Sequence, residues 1–197
     1  MTNKTHPQVR VWDLPVRLFH WSLAVSFVLA YLSGENDLDY LHSLIGYFIA
    51  SLLLFRLLWG FIGSRHARFG DFVRPPSAVL GYLRQNLRGK GPRYLGHNPA
   101  GGAMVIALML TLGLTALSGM ALYGSTDFAG PMAGWFSGTL AADLLEETHE
   151  FLAQLSLIFI GLHLAGVLFS SLAHRENLIK SMLTGLKADL KKEQLHD

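Results

Sequence analysis

Long runs of apolar residues without any charge are the feature that most limits how this chain can fold. The run from about 101 to 123 contains no Asp, Glu, Lys or Arg. A soluble domain rarely needs such a segment, whereas a helix of about 20 apolar residues is long enough to cross a bilayer. Charged residues make up only 15% of the chain, against about 25% in soluble domains. We therefore predict an integral membrane protein.

Four apolar segments are candidate membrane-spanning helices. They cover approximately residues 18–33, 41–62, 101–123 and 144–173, with a loop at 64–100 and a tail at 174–197. The predicted fold is all-α, a four-helix membrane bundle in which residues 1–197 form one domain. The N-terminus is polar and shows no cleavable signal peptide, so we expect the first span to remain as an anchor.

Two further stretches are expected to form short interfacial helices. PPSAVLGYLRQNLRG in the middle loop and ENLIKSMLTGLKADLKK near the C-terminus both mix apolar and basic residues. Such a mixture is typical of a helix that lies along a membrane surface. The alternative is that both are ordinary solvated helices.

The connecting segments differ in charge, and this predicts the orientation in the membrane. Basic residues occur before the first span, between the second and third, and after the fourth: Lys4, Arg10, Arg17, Arg65, Arg68, Arg74, Arg84, Arg88, Lys90, Arg93, Arg175, Lys180, Lys187, Lys191 and Lys192. The charged residues of the other two loops are all acidic: Glu35, Asp37, Asp39, Asp127 and Asp143. The positive-inside rule then places both termini and the middle loop in the cytoplasm.

Four of the nine histidines fall within the spans. His20 lies near the cytoplasmic end of the first span and His42 near the outer end of the second. In the fourth span His149 lies near the outer end and His163 lies deeper. Span order and charge therefore place His20 and His163 at one depth, here called the inner pair, and His42 and His149 at another, the outer pair. An ionisable residue in a span indicates function.

Helix geometry places both histidines of the fourth span on one face. Fourteen residues rise about 21 Å and return to nearly the same side of the helix. A b-type haem that only carries electrons takes two imidazoles from facing helices, so two pairs at two depths predict two haems. Small residues that leave room for flat macrocycles occur nearby, at Gly46, Gly161, Ala165 and Gly166.

Other uses of these histidines remain open at this point. A membrane histidine can simply hydrogen-bond a neighbouring helix. A zinc site would need three or four ligands at one depth, usually with a carboxylate, and each depth offers two histidines. With no cysteine in the chain, thiolate sites and covalent haem attachment are excluded. No phosphate loop, Ser/His/Asp arrangement or nucleic-acid surface is visible.

Two arginines are candidates for binding haem propionates. Arg17 precedes His20 by one helical turn, and Arg56 lies fourteen residues after His42, near the inner depth. A guanidinium binds a carboxylate through two parallel hydrogen bonds. The alternative is that both side chains extend towards lipid headgroups.

The remaining histidines lie outside the spans. His97, in LGHNPAGG, either caps the entry to the third span or faces a ligand. We interpret the others as surface residues: His6, His66, His174 and His196.

The sequence resembles the bacterial cytochrome b561 family, which includes the b-type cytochrome subunits of nickel–iron hydrogenases. The resemblance covers nearly the whole chain. It is carried by VWDLPVRLFHW, LHSLIGYFIASLLLFRLLWGFIG, RYLGHNPAGG and ETHEFLAQLSLIFIGLHLAG, followed by SSLAHREN.

This resemblance implies a bundle that holds two haems b, each with two histidine ligands. His20 would pair with His163, and His42 with His149. It also implies electron exchange with membrane quinone, for which His97, Arg93 and Asn98 are candidate binding residues. The expected location is the bacterial inner membrane.

The expected redox partner is a periplasmic c-type cytochrome or an oxidoreductase subunit. Hydrogenase-type members commonly carry one more span than the four visible here, so the resemblance does not specify a hydrogenase. Two alternatives remain, a stand-alone superoxide:quinone oxidoreductase and a haem-free membrane metal-ion transporter.

Overall fold

The computed structural model describes residues 8–89, 91–136 and 142–189. The elements in chain order are β1 (Gln8–Arg10), α1 (Leu14–Glu35), α2 (Asp39–Ile62), a 3-10 turn (Arg65–Ala67), α3 (Phe69–Phe72), α4 (Pro76–Leu87), α5 (Pro99–Thr126), α6 (Ala133–Phe136), α7 (Ala142–Ala173), α8 (Leu178–Thr184) and β2 (Leu186–Ala188).

The helices α1, α2, α5 and α7 are each long and apolar enough to cross a membrane. They contain the four predicted spans, and the predicted fold class is confirmed. Large apolar side chains remain exposed along all four, for example Leu29, Leu58, Leu114 and Leu168. Such continuous apolar surface is unfavourable in water and suits contact with lipid.

Contacts along the chain divide it into two compact units, each described by itself. The bundle unit, Phe19–Leu58 and Met104–Leu164, contains most of the four long helices. Its buried core consists of Phe19, Ala30, Ile49, Leu53 and Leu112. Hydroxyl side chains on α5 donate to carbonyl groups of the preceding turn, which satisfies them without water.

The loop unit comprises Met1–Leu18, Trp59–Ala103 and Ala165–Asp197. Here β1 and β2 pair as antiparallel strands, with Val9 opposite Lys187. Asp13 accepts hydrogen bonds from the backbone N–H of Val16 and from Trp59 Nε1, at 2.8 and 2.9 Å. Burial acts to raise the pKa of Asp13, but hydrogen bonds from Ser64, Val16 and Trp59 outweigh it and lower the pKa. Asp13 thus joins the start of α1 to the end of α2.

The two stretches predicted to be short helices have different outcomes. α4 begins at the second residue of the Pro-Pro pair, where the missing N–H costs no helical hydrogen bond. Within its described residues, the C-terminal stretch is helical over α8 alone, because Gly185 has a φ of +83° and ends the helix. A Cβ at Gly185 would lie 2.6 Å from the Trp12 carbonyl oxygen. The chain then continues as β2, which the sequence pattern did not predict.

Candidate functional site: paired membrane histidines

The four membrane histidines lie as two pairs in the bundle unit. His20 of α1 faces His163 of α7, with ring centroids 6.4 Å apart and ring planes at 54°. His42 of α2 faces His149 of α7, with centroids 5.8 Å apart and planes at 85°. α7 therefore supplies one histidine to each pair, and the structure brings together the pairs that the resemblance implied.

The separation of the rings fits one metal atom between two imidazoles. A metal–nitrogen bond of about 2 Å, with the ring centre about 1 Å beyond the nitrogen, places two axial imidazole centroids about 6 Å apart. Both observed separations are close to this value. The two rings of each pair are thus spaced as two imidazoles that hold one metal atom would be.

Hydrogen bonds orient both rings of the outer pair. His42 Nδ1 lies 2.8 Å from the carbonyl oxygen of Ala30, and His149 Nδ1 lies 2.9 Å from that of Thr115. Because a carbonyl only accepts, each Nδ1 must carry the proton and donate it. The unprotonated Nε2 is then the nitrogen available to a metal, as in most histidine metal sites.

Two glycines that the sequence pattern did not single out lie against these rings. A Cβ at Gly34 of α1 would lie 3.1 Å from His42 Nδ1, and one at Gly119 of α5 would lie 2.8 Å from His149 Cε1. Glycine in an apolar run is a weak signal, because its role depends on which helix faces it. By contrast Gly46, one turn from His42, is half-buried with nothing within 4 Å of a Cβ, while Gly161 is exposed.

A serine lies midway between the histidines of α7. Ser156 is seven residues from each, and none of its surface is exposed. Its Oγ lies 3.4 Å from Thr115 Oγ1 of α5. A small side chain at this position lets α5 approach α7 closely between the two pairs.

The two arginines predicted to bind propionates have different surroundings. Arg56 is buried within α2 in the bundle unit, with 3% of its surface exposed. Arg17, in the loop unit, donates a hydrogen bond from Nη2 to the carbonyl oxygen of Leu183, near the end of α8. Arg56 is therefore the more deeply buried of the two, and the propionate role of both stays a prediction.

The three candidate quinone residues all make structural contacts in the loop unit. The His97 ring lies between those of Trp12 and Phe72, with centroids 4.7 Å from each. Asn98 Oδ1 accepts from the backbone N–H of Gly101 at 2.7 Å, so Asn98 rather than His97 caps α5. Arg93 forms an ion pair with Glu176. Their role in quinone binding stays a prediction.

The histidines interpreted as surface residues are only partly so. His66 and His174 are half-buried, and His66 Nδ1 lies 2.9 Å from Asp71 Oδ2, a hydrogen bond that the spacing did not reveal. His6 and His196 lie outside the described residues.

Comparison with known proteins identifies the family. A family model described as prokaryotic cytochrome b561 matches residues 11–185. This chain belongs to the prokaryotic cytochrome b561 family. It is accordingly a multi-pass membrane protein of the b-type cytochromes, whose cofactor is haem b.

Individual relatives agree with this assignment. A protein of Rhizobium leguminosarum bv. viciae described as a "probable Ni/Fe-hydrogenase B-type cytochrome subunit" is 26% identical over 90% of this chain and 87% of its own length. Proteins with the same description from Azotobacter vinelandii and Rhodobacter capsulatus are 28% and 22% identical, over 90% of this chain and over 87% and 80% of their own lengths. No solved structure matches the chain.

Proposed function

We propose that this cytochrome b561 family member binds two haems b and transfers electrons between the quinone pool and a redox partner on the outer side of the membrane. His20 and His163 would bind one haem, and His42 and His149 the other. When bound, a haem iron with two histidine ligands carries one electron by cycling between its ferric and ferrous states.

The observation that carries this proposal is the pair of facing rings at each of two levels of α7. The ring separations of 6.4 and 5.8 Å are close to the value expected if the two histidines of each pair held one haem iron. Fourteen residues of α7 separate the levels by a rise of about 21 Å. Among the described residues, no three His, Cys, Asp or Glu side chains cluster as a metal-ion site would require. The paired arrangement thus favours haem over a transported metal ion.

Charge supports the proposed orientation and partner. The loop between α1 and α2 and the segment between α5 and α7 carry acidic residues without Lys or Arg. With the termini in the cytoplasm, this acidic surface would face the periplasm and attract a basic protein such as a c-type cytochrome. The relatives named as hydrogenase subunits point instead to an oxidoreductase subunit.

Spectroscopy of the purified full chain tests the haem assignment. We expect a dithionite-reduced difference spectrum with a b-type alpha band and two haems per chain. His163→Ala should retain one haem, and His149→Ala should retain the other. His174→Ala, outside both pairs, is the matched control and should retain both. Absence of the alpha band, or two haems retained in His163→Ala, would refute the proposal.

Electron-transfer kinetics separate the proposed function from its nearest alternative. We expect the reduced chain to be oxidised by a soluble quinone analogue in stopped-flow experiments. Rapid reduction of the oxidised chain by superoxide, with no reduction by a c-type cytochrome or an oxidoreductase subunit, would favour a stand-alone superoxide:quinone oxidoreductase instead. Acidic outer loops should slow the approach of the superoxide anion.

A further inference from the structure

One turn of α5 contacts and orients the ring of His149. The carbonyl oxygen of Thr115 accepts from His149 Nδ1 at 2.9 Å and from the Ser118 hydroxyl at 2.9 Å. Ser118 Oγ lies 3.2 Å from the same Nδ1. Four residues after Thr115, the missing side chain of Gly119 leaves the space that the ring occupies, because a Cβ there would lie 2.8 Å from Cε1 and 3.1 Å from Nδ1.

α1 repeats this arrangement for His42. The carbonyl oxygen of Ala30 accepts from His42 Nδ1 at 2.8 Å. Gly34, again four residues later, leaves space for the ring, since a Cβ would lie 3.1 Å from Nδ1 and 3.3 Å from Cε1. The same carbonyl-to-glycine spacing thus occurs on two helices, once for each histidine of the outer pair.

The inner pair differs. In the described part of the chain, His20 Nδ1 is buried with no hydrogen-bond partner. For the glycines whose surroundings are described there, neither His20 nor His163 is among the three nearest contacts of a Cβ. The two levels of α7 therefore present ligands that are held in different ways.

We propose that Gly34 and Gly119 are positioning residues that keep His42 and His149 donating to the Ala30 and Thr115 carbonyls and thereby lower the reduction potential of the outer haem. This inference rests on the proposed function. An imidazole that donates its second N–H to a carbonyl is the more basic ligand, and a more basic ligand stabilises ferric over ferrous iron.

Replacing either glycine by alanine would push the ring away from its carbonyl. At Gly119 the new methyl group would overlap the ring, so Nδ1 must move away from the Thr115 oxygen. At Gly34 the contact is looser and the shift smaller. Gly113, on the same helix as Gly119, is the matched control because a Cβ there meets nothing within 4 Å.

Redox titration of the full chain, monitored by optical and EPR spectra, tests this inference. We expect Gly119→Ala to favour ferrous iron in the outer haem about tenfold, which is about 59 mV for one electron. Gly34→Ala should also raise the reduction potential of the outer haem, but by less. Gly113→Ala should have the same outer potential as the wild type. The reduction potential of the inner haem should be unchanged in all three variants. The spectral signal that disappears in His149→Ala is assigned to the outer haem.

The possible failures are distinguishable. A wild-type chain without two b-type signals would refute the proposed function and this inference with it. Two signals in the wild type, with an outer potential unmoved in both Gly34→Ala and Gly119→Ala, would refute the inference alone. If Gly119→Ala loses the outer haem, the milder Gly34→Ala decides: a raised outer potential supports the inference, and an unchanged one overturns it.

Discussion

Arg56 is a cation buried inside a helix that is long and apolar enough to cross the membrane. Only 3% of its surface is exposed, and it lies in the bundle unit rather than at a helix end. Removing a guanidinium from water costs several kcal/mol unless an anion or several acceptors surround it. Under the proposed function, a haem propionate is an anion available to Arg56.

Replacing Arg56 tests this role. Under the proposed function, Arg56→Gln removes a positive charge at the predicted depth of the inner haem, so the ferric form is favoured and the inner potential should fall, by about 59 mV for a tenfold effect. Arg56→Lys keeps the charge and should shift the potential less. Redox titration measures both, with the exposed Arg84→Gln of α4 as control. An inner potential that is unchanged or raised in Arg56→Gln would contradict the propionate role.

The small residues around the rings show how far sequence reasoning reaches at this scale. Histidines in apolar runs are conspicuous, and their depths follow from span order and charge. Gly34 and Gly119 were not found, because each matters only through a ring from another helix. Arg17 was associated with His20 by helical spacing, whereas its guanidinium reaches the Leu183 carbonyl, 166 residues away.

Among the helices, α7 is long enough to cross the membrane and also contributes to both histidine pairs. Its 32 residues extend about 48 Å, which exceeds the hydrocarbon thickness of about 30 Å. It supplies one histidine to each pair and, between them, the fully buried Ser156. One helix therefore sets the spacing of the two histidine pairs, while α1 and α2 supply the opposite histidines.

A buried ionic cluster joins the middle loop to the C-terminal segment. Glu176 pairs with Arg93 and, at 3.3 Å, with Lys187 of β2, whose side chain is only 4% exposed. Arg93 also donates to the Ala188 carbonyl at 2.8 Å. Burial acts to raise the pKa of Glu176, but hydrogen bonds and charges from Arg93 and Lys187 outweigh it and lower the pKa. Burial lowers the pKa of Lys187, which Glu176 only partly offsets.

Glu176→Gln should destabilise the loop unit. The change leaves the half-buried Arg93 and the buried Lys187 without their counter-charge, a loss of at most about 3 kcal/mol. Thermal unfolding of the chain in detergent measures it, with the exposed Glu147→Gln of α7 as control. Equal melting temperatures for the two variants would show that the cluster contributes little.

The same cluster predicts a dependence on pH. Because folding lowers the pKa of Glu176, its stabilisation is complete above its ordinary pKa of 4.5 and is lost as pH falls through the lower folded value. The melting temperature of the wild type should therefore fall below about pH 4.5 more steeply than that of Glu176→Gln. Parallel curves would contradict a role for this carboxylate.

Across the whole molecule, the short sheet connects the first and last described segments of the chain by backbone hydrogen bonds. β1 lies at the start of the described chain and β2 at its end, and they pair in one antiparallel ladder. The amides of Val11 and Trp12 extend this contact by donating to the Gly185 carbonyl at 2.8 and 3.2 Å. The pairing holds Gln8–Arg10 beside Leu186–Ala188, as the predicted even number of spans would require.

Reporter fusions test which side this is. We expect a fluorescent protein fused after residue 197 to fold and fluoresce, because the positive-inside rule places this end in the cytoplasm. Alkaline phosphatase should be inactive there, and active when inserted in the acidic loop near Asp37. The opposite pattern at both positions would invert the predicted orientation.

Local properties of the sequence were enough to predict the membrane class, the four helices and which histidines face each other. Each follows from a local or additive property: uncharged length, charge on either side of a span, and rise per residue. These properties do not depend on which helices touch.

Only the tertiary structure decided how the rings are held and how the ends are joined. The carbonyls of Ala30 and Thr115, the space at Gly34 and Gly119, and the β1–β2 pairing all involve groups far apart in the chain. A hydrogen bond or a steric contact exists only once two helices face each other, and no periodicity within one helix specifies that. The histidines were visible in the sequence, whereas the environment that we propose to set the outer potential became visible only in the fold.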